Sequence, residues 1–166
     1  MLLELTREGD YAVRAMLALA SHTAPTPLSR RQIAQDWQIP AGFLAHALRK
    51  LVDGGLVIPV LGRTGGYRLA RAADRITLLD VVSVVEELPS GERCVMRGGP
   101  CLPDGTCFVH ETFAAARARY LEALGEHSLA AILTDAADRQ AVMSSRIRRS
   151  RKLRSLSFEV SSSARR

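Results

Sequence analysis

Two short helices followed at once by a glycine-rich hairpin constrain the fold of this chain more than any other feature. The first helix starts at Ser-Arg-Arg-Gln, residues 29–32, where a hydroxyl stands three residues before an amide, the spacing of a capping box. A break at 38–40 separates it from a second helix predicted over 41–53, which a Gly-Gly pair ends. This order predicts a helix-turn-helix, whose second helix fits the major groove of DNA.

The hairpin that follows is predicted to be a wing. Apolar strands at 56–60 and 67–70 flank the turn Gly-Arg-Thr-Gly-Gly, with Arg63 near its tip, where the negative potential of a minor groove favours a guanidinium. Residues 28–75 hold eight basic and three acidic side chains. Helix, turn, helix and basic hairpin in that order predict a winged helix-turn-helix DNA-binding domain over residues 1–75.

Candidate contacts to DNA lie on the helix pair and the wing. For each residue alone, a solvated surface position is the common alternative, because charged helix faces and glycine turns occur in many proteins. The predicted contacts are Ser29, Arg30, Arg31, Gly42, Phe43, His46, Arg49, Lys50, Arg63, Thr64, Gly65 and Tyr67. The apolar pattern of the second helix also predicts an inward face, formed by Phe43, Leu44, Leu48, Leu51 and Val52.

The remaining helices complete a mostly α fold with a small β-wing. Residues 5–21 form an amphipathic scaffold helix, and 76–88 are apolar nearly all round, so that helix needs neighbours on more than one side. The longest predicted helix, 108–125, has the apolar stripe Phe113, Ala116, Tyr120, Leu121 and Leu124. Such a stripe beyond a DNA-binding unit predicts a homodimer. Packing within its own subunit is the alternative. A short helix capped by Ser128 follows.

All three cysteines of the chain lie in one glycine- and proline-rich stretch. Cys94, Cys101 and Cys107 are spaced by seven and six residues, and His110 follows the last by three. The glycines and prolines forbid a continuous helix, so a loop can fold the thiolates around one centre. Iron–sulfur clusters and zinc both use such donors. The stretch is therefore a candidate metal site.

Several other interpretations of the cysteines are open. They could be buried small hydrophobes, or thiols that sense oxidants without a metal. A disulfide framework is disfavoured, because the count is odd and no signal peptide pattern is present. A redox enzyme is also disfavoured, since the chain has no nucleotide-binding glycine loop and no nucleophile–base constellation.

Charge is distributed unevenly along the chain. The block 76–138 holds four basic and ten acidic residues, while 139–166 holds nine basic residues and one acidic. A basic module beside an acidic one is typical of a phosphate-facing unit joined to a unit that does not bind DNA. We expect residues 76–138 to form a second region with the candidate metal-binding loop and the dimerisation helices, and the Ser-rich tail 139–166 to be largely disordered. No apolar run approaches a membrane span, so a cytoplasmic protein is expected.

Taken in order, residues 1–138 resemble the winged-helix iron–sulfur transcription regulators of the IscR/NsrR family. The shared motifs are the start Leu-Thr-Arg-Glu-Gly-Asp-Tyr-Ala-Val-Arg, the helix pair at 29–52, the wing Gly-Arg-Thr-Gly-Gly-Tyr-Arg-Leu, the helix start Arg-Ile-Thr-Leu-Leu-Asp-Val-Val and the three-cysteine loop. The resemblance implies a homodimeric transcription regulator, here expected to be a repressor, whose cluster state controls its affinity for promoter DNA.

The resemblance also implies cluster ligands. Cys94, Cys101 and Cys107 match the three cluster cysteines. In the IscR-like branch a histidine three residues after the last cysteine completes a [2Fe–2S] cluster, and His110 matches it. In the NsrR-like branch a carboxylate on the first helix of the partner subunit completes a [4Fe–4S] cluster, and Asp10 matches that. Both remain candidates, since the chain carries both and its first cysteine spacing departs by one residue from the commonest one.

The operator sequence does not carry over from the resemblance. Ala45 stands where the IscR-like branch has a groove-reading acidic residue, and Leu61 where it has a wing arginine.

Overall fold

The computed structural model describes residues 4–88, 96, 99 and 109–138. The described residues are mostly helical with one two-stranded antiparallel sheet, which confirms the predicted fold class. The elements are α1 (Arg7–Ser21), α2 (Arg30–Asp36), α3 (Ala41–Asp53), β1 (Val57–Val60), β2 (Gly66–Leu69), a 3-10 turn (Ala73–Arg75), α4 (Leu78–Val85) and α5 (His110–Glu126). The chain divides after Ala130 into two compact units. Of the second unit, residues 131–138 are described and are helical.

Thr6 sets the start of α1, two residues later than predicted. Its Oγ1 accepts a hydrogen bond from the Gly9 amide at 3.1 Å, which satisfies one of the unpaired donors at the helix start. The Glu86 carboxylate, just beyond α4, accepts from the Thr6 amide at 2.8 Å and from its hydroxyl at 2.7 Å. A Cβ on Gly9 would collide with the same carboxylate, so glycine allows this approach. The first turn of α1 is thereby tied to the end of α4.

The helix pair matches the prediction closely. The capping box at the start of α2 is confirmed. The backbone N–H of Gln32 donates to Ser29 Oγ at 3.3 Å, and the backbone N–H of Ser29 donates to Gln32 Oε1 at 3.0 Å. Gln38 takes a positive φ of 53° in the turn, where the Ile39 amide donates to Ala34 O at 3.0 Å. α3 has the predicted bounds.

One hydrophobic core joins α1, α3 and α4. The core continues across the predicted domain boundary at 75, because Ile76 is fully buried in the same cluster as Met16 of α1. The predicted surroundings of α4 are confirmed, since α4 packs against α1, α3 and α5. The predicted domain bounds remain a prediction. The largest fully buried side chains are Met16, Ile33, Leu44, Leu48, Leu51, Leu56, Ile76, Val81, Val82 and Leu129.

The wing is a hairpin fixed to the start of α2. Val57 pairs with Leu69 in β2, and Leu28 exchanges two backbone hydrogen bonds with Tyr67, at 3.1 and 2.9 Å. Leu28 therefore borders β2 through a single antiparallel bridge. A Cβ on Gly66 would lie 2.5 Å from the Leu28 carbonyl oxygen, so this contact requires glycine. The wing and the first helix of the pair consequently hold one orientation.

α5 has no buried residue along its length. Phe113 and Ala116 of the predicted apolar stripe are exposed, whereas Tyr120, Leu121 and Leu124 are half-buried. The end of α5 is anchored to the start of α4, because the Leu78 amide donates to the His127 carbonyl at 2.9 Å. No helix among the described residues has the length and apolar character needed to span a membrane.

Candidate nucleic-acid interface

Four buried side chains fix which way α3 faces. They recur at helical spacing on the side of α3 that packs against α1 and α4. Because they occupy one side, the exposed side of α3 carries Gly42, His46 and Arg49. The buried residues are Leu44, Ala47, Leu48 and Leu51. The exposed face has the spacing that a helix needs to present side chains to base edges.

The wing carries Arg63 and Thr64 at an exposed tip. Gly62 has a φ of 114°, which L side chains rarely adopt, and the Gly65 amide closes the turn by donating to the Gly62 carbonyl at 3.0 Å. Arg63 and Thr64 are exposed, and Gly65 is half-buried. A guanidinium at such a tip is placed to enter a minor groove.

The start of α2 lies beside β2. Ser29 uses its hydroxyl in the capping box, where Oγ donates to Gln32 Oε1 at 2.6 Å. Arg30 and Arg31 follow it and are exposed, while Tyr67 is half-buried next to this segment through its backbone pairing. The structure thus brings the predicted contacts on α2 and on the hairpin to neighbouring positions.

Four predicted arginine contacts form no ion pair with any residue that the structure describes. Arg30, Arg31, Arg49 and Arg63 are all exposed, one or more on each of α2, α3 and the wing. Guanidinium groups without a carboxylate partner can bind phosphate oxygens or guanine edges. These four residues supply positive charge on all three parts of the candidate interface, α2, α3 and the wing.

His46 and Lys50 are instead paired with Glu8 of α1. Lys50 Nζ lies 3.0 Å from Glu8 Oε2, and His46 Nε2 lies 3.1 Å from Glu8 Oε1. Glu8 was not predicted as a functional residue, because it lies 42 positions before Lys50 and no local pattern reports such a contact. Two of the predicted DNA contacts therefore face a carboxylate of their own subunit.

The prediction that Phe43 faces inward is wrong. Its side chain is 54% exposed, and its ring stands 5.5 Å from the ring of Tyr11, measured between centroids. Helical periodicity predicts Phe43 on the apolar face, but the contact with Tyr11 of α1 leaves about half of the side chain exposed. Its other predicted role, as a contact to DNA, is compatible with this exposure.

The predicted cysteine ligands lie outside the described residues. Of the two predicted fourth ligands, Asp10 lies in the first turn of α1 with its side chain 41% exposed, and Oδ1 accepts from Arg14 Nε at 2.9 Å. His110 is half-buried in the first turn of α5. Among the described residues no group of three or more His, Cys, Asp or Glu side chains is arranged to hold a metal ion.

The sequence matches a known family along most of its length. The profile of Rrf2, described as iron-dependent transcriptional regulator, matches residues 5–135. The HTH-type transcriptional regulator IscR of Xenorhabdus nematophila is 34% identical over 143 residues, which cover 83% of this chain and 87% of that protein.

Solved structures give the same result for the fold. T. potens IscR is similar with a TM-score of 0.66 and 28% identity, covering 83% of this chain and 91% of that one. CymR of B. subtilis, named as the global cysteine regulator, has a TM-score of 0.67 and 27% identity, covering 80% of this chain and 98% of that one.

Proposed function

Because the chain belongs to the Rrf2 family of DNA-binding transcription regulators, we propose that it is a cytoplasmic homodimeric repressor whose affinity for an operator is set by an iron–sulfur cluster. The observation that carries the proposal is the joint occurrence of exposed arginines on α3 and the wing, which form no ion pair among the described residues, with three cysteines in the short sequence stretch 94–107. The description of the family as iron-dependent supports iron over zinc.

The donor set fits a cluster. Three thiolates from Cys94, Cys101 and Cys107 are soft ligands suited to iron–sulfur chemistry. A fourth ligand from the partner subunit must reach the surface of its own subunit, and the part-exposed Asp10 meets that requirement. His110, at the start of α5 and three residues after Cys107, is the second candidate for the fourth ligand. When bound, the cluster would supply iron with an exchangeable oxygen or nitrogen ligand, open to oxygen or nitric oxide.

Residues of the described structure provide a physical route from the cysteine stretch to α3. Glu86 stands just before that stretch in the sequence and holds Thr6 at the start of α1. α1 in turn packs along α3 and carries Asp10 on the same first turn. A change in the loop would therefore bear on the helix that spaces and orients α3. Such coupling requires that cluster binding favours one arrangement of these helices over another.

Exposed apolar residues support the dimer. Phe113 on α5 is half-exposed, and α5 buries no residue within its own subunit. A large apolar side chain in this position is typical of a helix that packs against a second copy. Pairing two winged helices would place two α3 helices on successive turns of an operator.

The central test compares cluster-loaded and apo protein on one operator. A duplex selected from a random library by the loaded protein serves as the operator, and a scrambled duplex serves as the control. We expect the two forms to differ in operator affinity by about five- to 150-fold, the usual range of coupling between two sites. Equal affinity would rule out control by the cluster.

A thiol sensor without a metal is the second candidate function. The likeness to CymR, named as a global cysteine regulator, favours it. Iron and acid-labile sulfide analysis after anaerobic purification and reconstitution separates the two candidates, since a thiol sensor would contain neither. Zinc without sulfide would indicate a structural zinc site.

Replacing Arg63 with alanine tests the wing. Loss of one phosphate or minor-groove contact should weaken operator binding about tenfold at roughly 0.1 M salt and reduce the slope of log affinity against log salt by about 0.9 for each wing engaged. Fluorescence anisotropy over a salt series measures both. Arg119→Ala on α5 removes the same charge outside the wing and should leave the slope unchanged. An unchanged slope for Arg63→Ala would contradict the wing assignment.

A further inference from the structure

One carboxylate of α1 holds two side chains of α3. Glu8 Oε2 accepts a hydrogen bond from Lys50 Nζ at 3.0 Å, and Glu8 Oε1 lies 3.1 Å from His46 Nε2. Oε1 is buried and accepts no hydrogen bond of regular geometry from any described residue, so His46 is the polar group that faces it. The Glu8 side chain is only 29% exposed, compared with 64% for His46. Glu8, His46 and Lys50 therefore form a contact between α1 and α3, which we call the Glu8 contact.

The pairing changes what α3 offers to DNA. His46 and Lys50 are four residues apart on one side of α3, and Arg49 beside them forms no ion pair among residues 4–88 and 109–138. A lysine that already has a carboxylate partner neutralises a phosphate less effectively and so displaces fewer of the counterions condensed on the DNA, because its own charge is already compensated. Arg49 is therefore the unpaired cation of α3, whereas Lys50 is restrained.

We propose that Glu8 is a positioning residue for DNA specificity: it orients His46 and restrains Lys50, so that sequence-independent attraction to phosphates is limited. The inference rests on the proposed function, in which α3 is the groove-reading helix. Glu8 does not itself contact DNA. It acts through the two α3 side chains that it holds.

The physical basis is the difference between the two kinds of contact. Attraction to phosphate is the same on every sequence, whereas contacts to base edges depend on the orientation of a side chain. Releasing Lys50 would add an ionic contact to complexes with any DNA. Releasing His46 would remove a fixed orientation that matters only on the operator. Removal of the Glu8 charge should therefore raise affinity for scrambled DNA and lower the ratio of operator to scrambled affinity.

The Glu8→Gln variant tests this directly. With anisotropy measured over a salt series at equal iron and sulfide content, we expect affinity for a scrambled duplex to rise about three- to tenfold. The salt slope should steepen by about 0.9 per subunit, the value for one additional phosphate contact. Glu4→Gln changes the net charge by the same amount at an exposed position outside the Glu8 contact. It should leave the affinity for scrambled DNA and the salt slope unchanged. Glu8→Asp, which retains the charge, should restore most of the wild-type slope.

A double variant identifies the side chain through which Glu8 acts. In a Lys50→Ala background, Glu8→Gln should no longer steepen the slope, because the released cation is absent. A merely structural role would lower the melting temperature without this dependence on Lys50. The inference is overturned if Glu8→Gln leaves the salt slope and the specificity ratio unchanged, or if the steeper slope persists without Lys50. Arg49→Ala distinguishes failure of this inference from failure of the proposed function. If Arg49→Ala also leaves operator binding unchanged, the assignment of α3 as the groove-reading helix is wrong.

Discussion

Replacing Cys101 with serine is expected to abolish cluster binding. Removing a residue that only hydrogen-bonds to a metal ligand lowers metal affinity about ten- to 100-fold. Removing a thiolate that binds the metal directly should therefore lower the affinity by more than this. Serine has nearly the same size, but its hydroxyl is a hard and weakly acidic donor that suits iron–sulfur chemistry poorly. We expect the variant to purify without the visible absorption, iron or sulfide of the wild-type protein. Its operator affinity should equal that of the apo form under all conditions.

Two further variants give the cysteine experiment its controls. Asp10→Ala and His110→Ala leave all three thiolates in place, so each should retain more iron than Cys101→Ser. One of the two residues supplies the fourth ligand, and its alanine variant should show a shifted absorption spectrum and a cluster that is more sensitive to oxygen or nitric oxide. Full iron and sulfide content in Cys101→Ser would contradict the assignment of this cysteine as a ligand.

Local patterns were sufficient to predict the helix pair and the wing. The capping box at Ser29 specifies where α2 begins through contacts only three residues apart. The ends of α3 are specified in the same local way, by the break at 38–40 and by the glycines after Asp53. Hairpin turns also depend on adjacent residues, and Gly62 has the positive φ that its turn requires. Elements whose ends are determined by near neighbours can be located from one sequence.

Contacts between distant segments were not predictable in this way. The sequence pattern predicts that His46 and Lys50 face DNA. It does not show that Glu8 lies beside them, because this contact forms only when α1 packs on α3. Phe43 was placed inward because periodicity does not show how far a neighbouring helix extends over a side chain. The link between Thr6 and Glu86 spans 80 positions and has no local signature. Charge and apolarity therefore identify candidate faces, while tertiary packing decides which side chains on those faces remain available.

Replacing Leu48 with alanine is expected to be the most destabilising of the substitutions considered for the helix pair. Leu48 is 1% exposed in the core between α1, α3 and α4, so truncation leaves a cavity that close-packed neighbours fill only partly. The free energy of unfolding should fall by about 2–5 kcal/mol, a large fraction of the roughly 5–15 kcal/mol that stabilises a typical domain. A urea titration followed by far-UV circular dichroism measures the change through the shift in midpoint.

The matched control for Leu48→Ala removes the same atoms from the surface. Leu61 is 93% exposed beside the wing turn, so Leu61→Ala should alter the free energy of unfolding by no more than about 0.5 kcal/mol. Because α3 owes its orientation to its buried face, Leu48→Ala should also weaken operator binding. Leu61→Ala, in contrast, should leave the fold intact. Equal midpoints for the two variants would contradict the packing of α3 and, with it, the exposed face assigned to DNA.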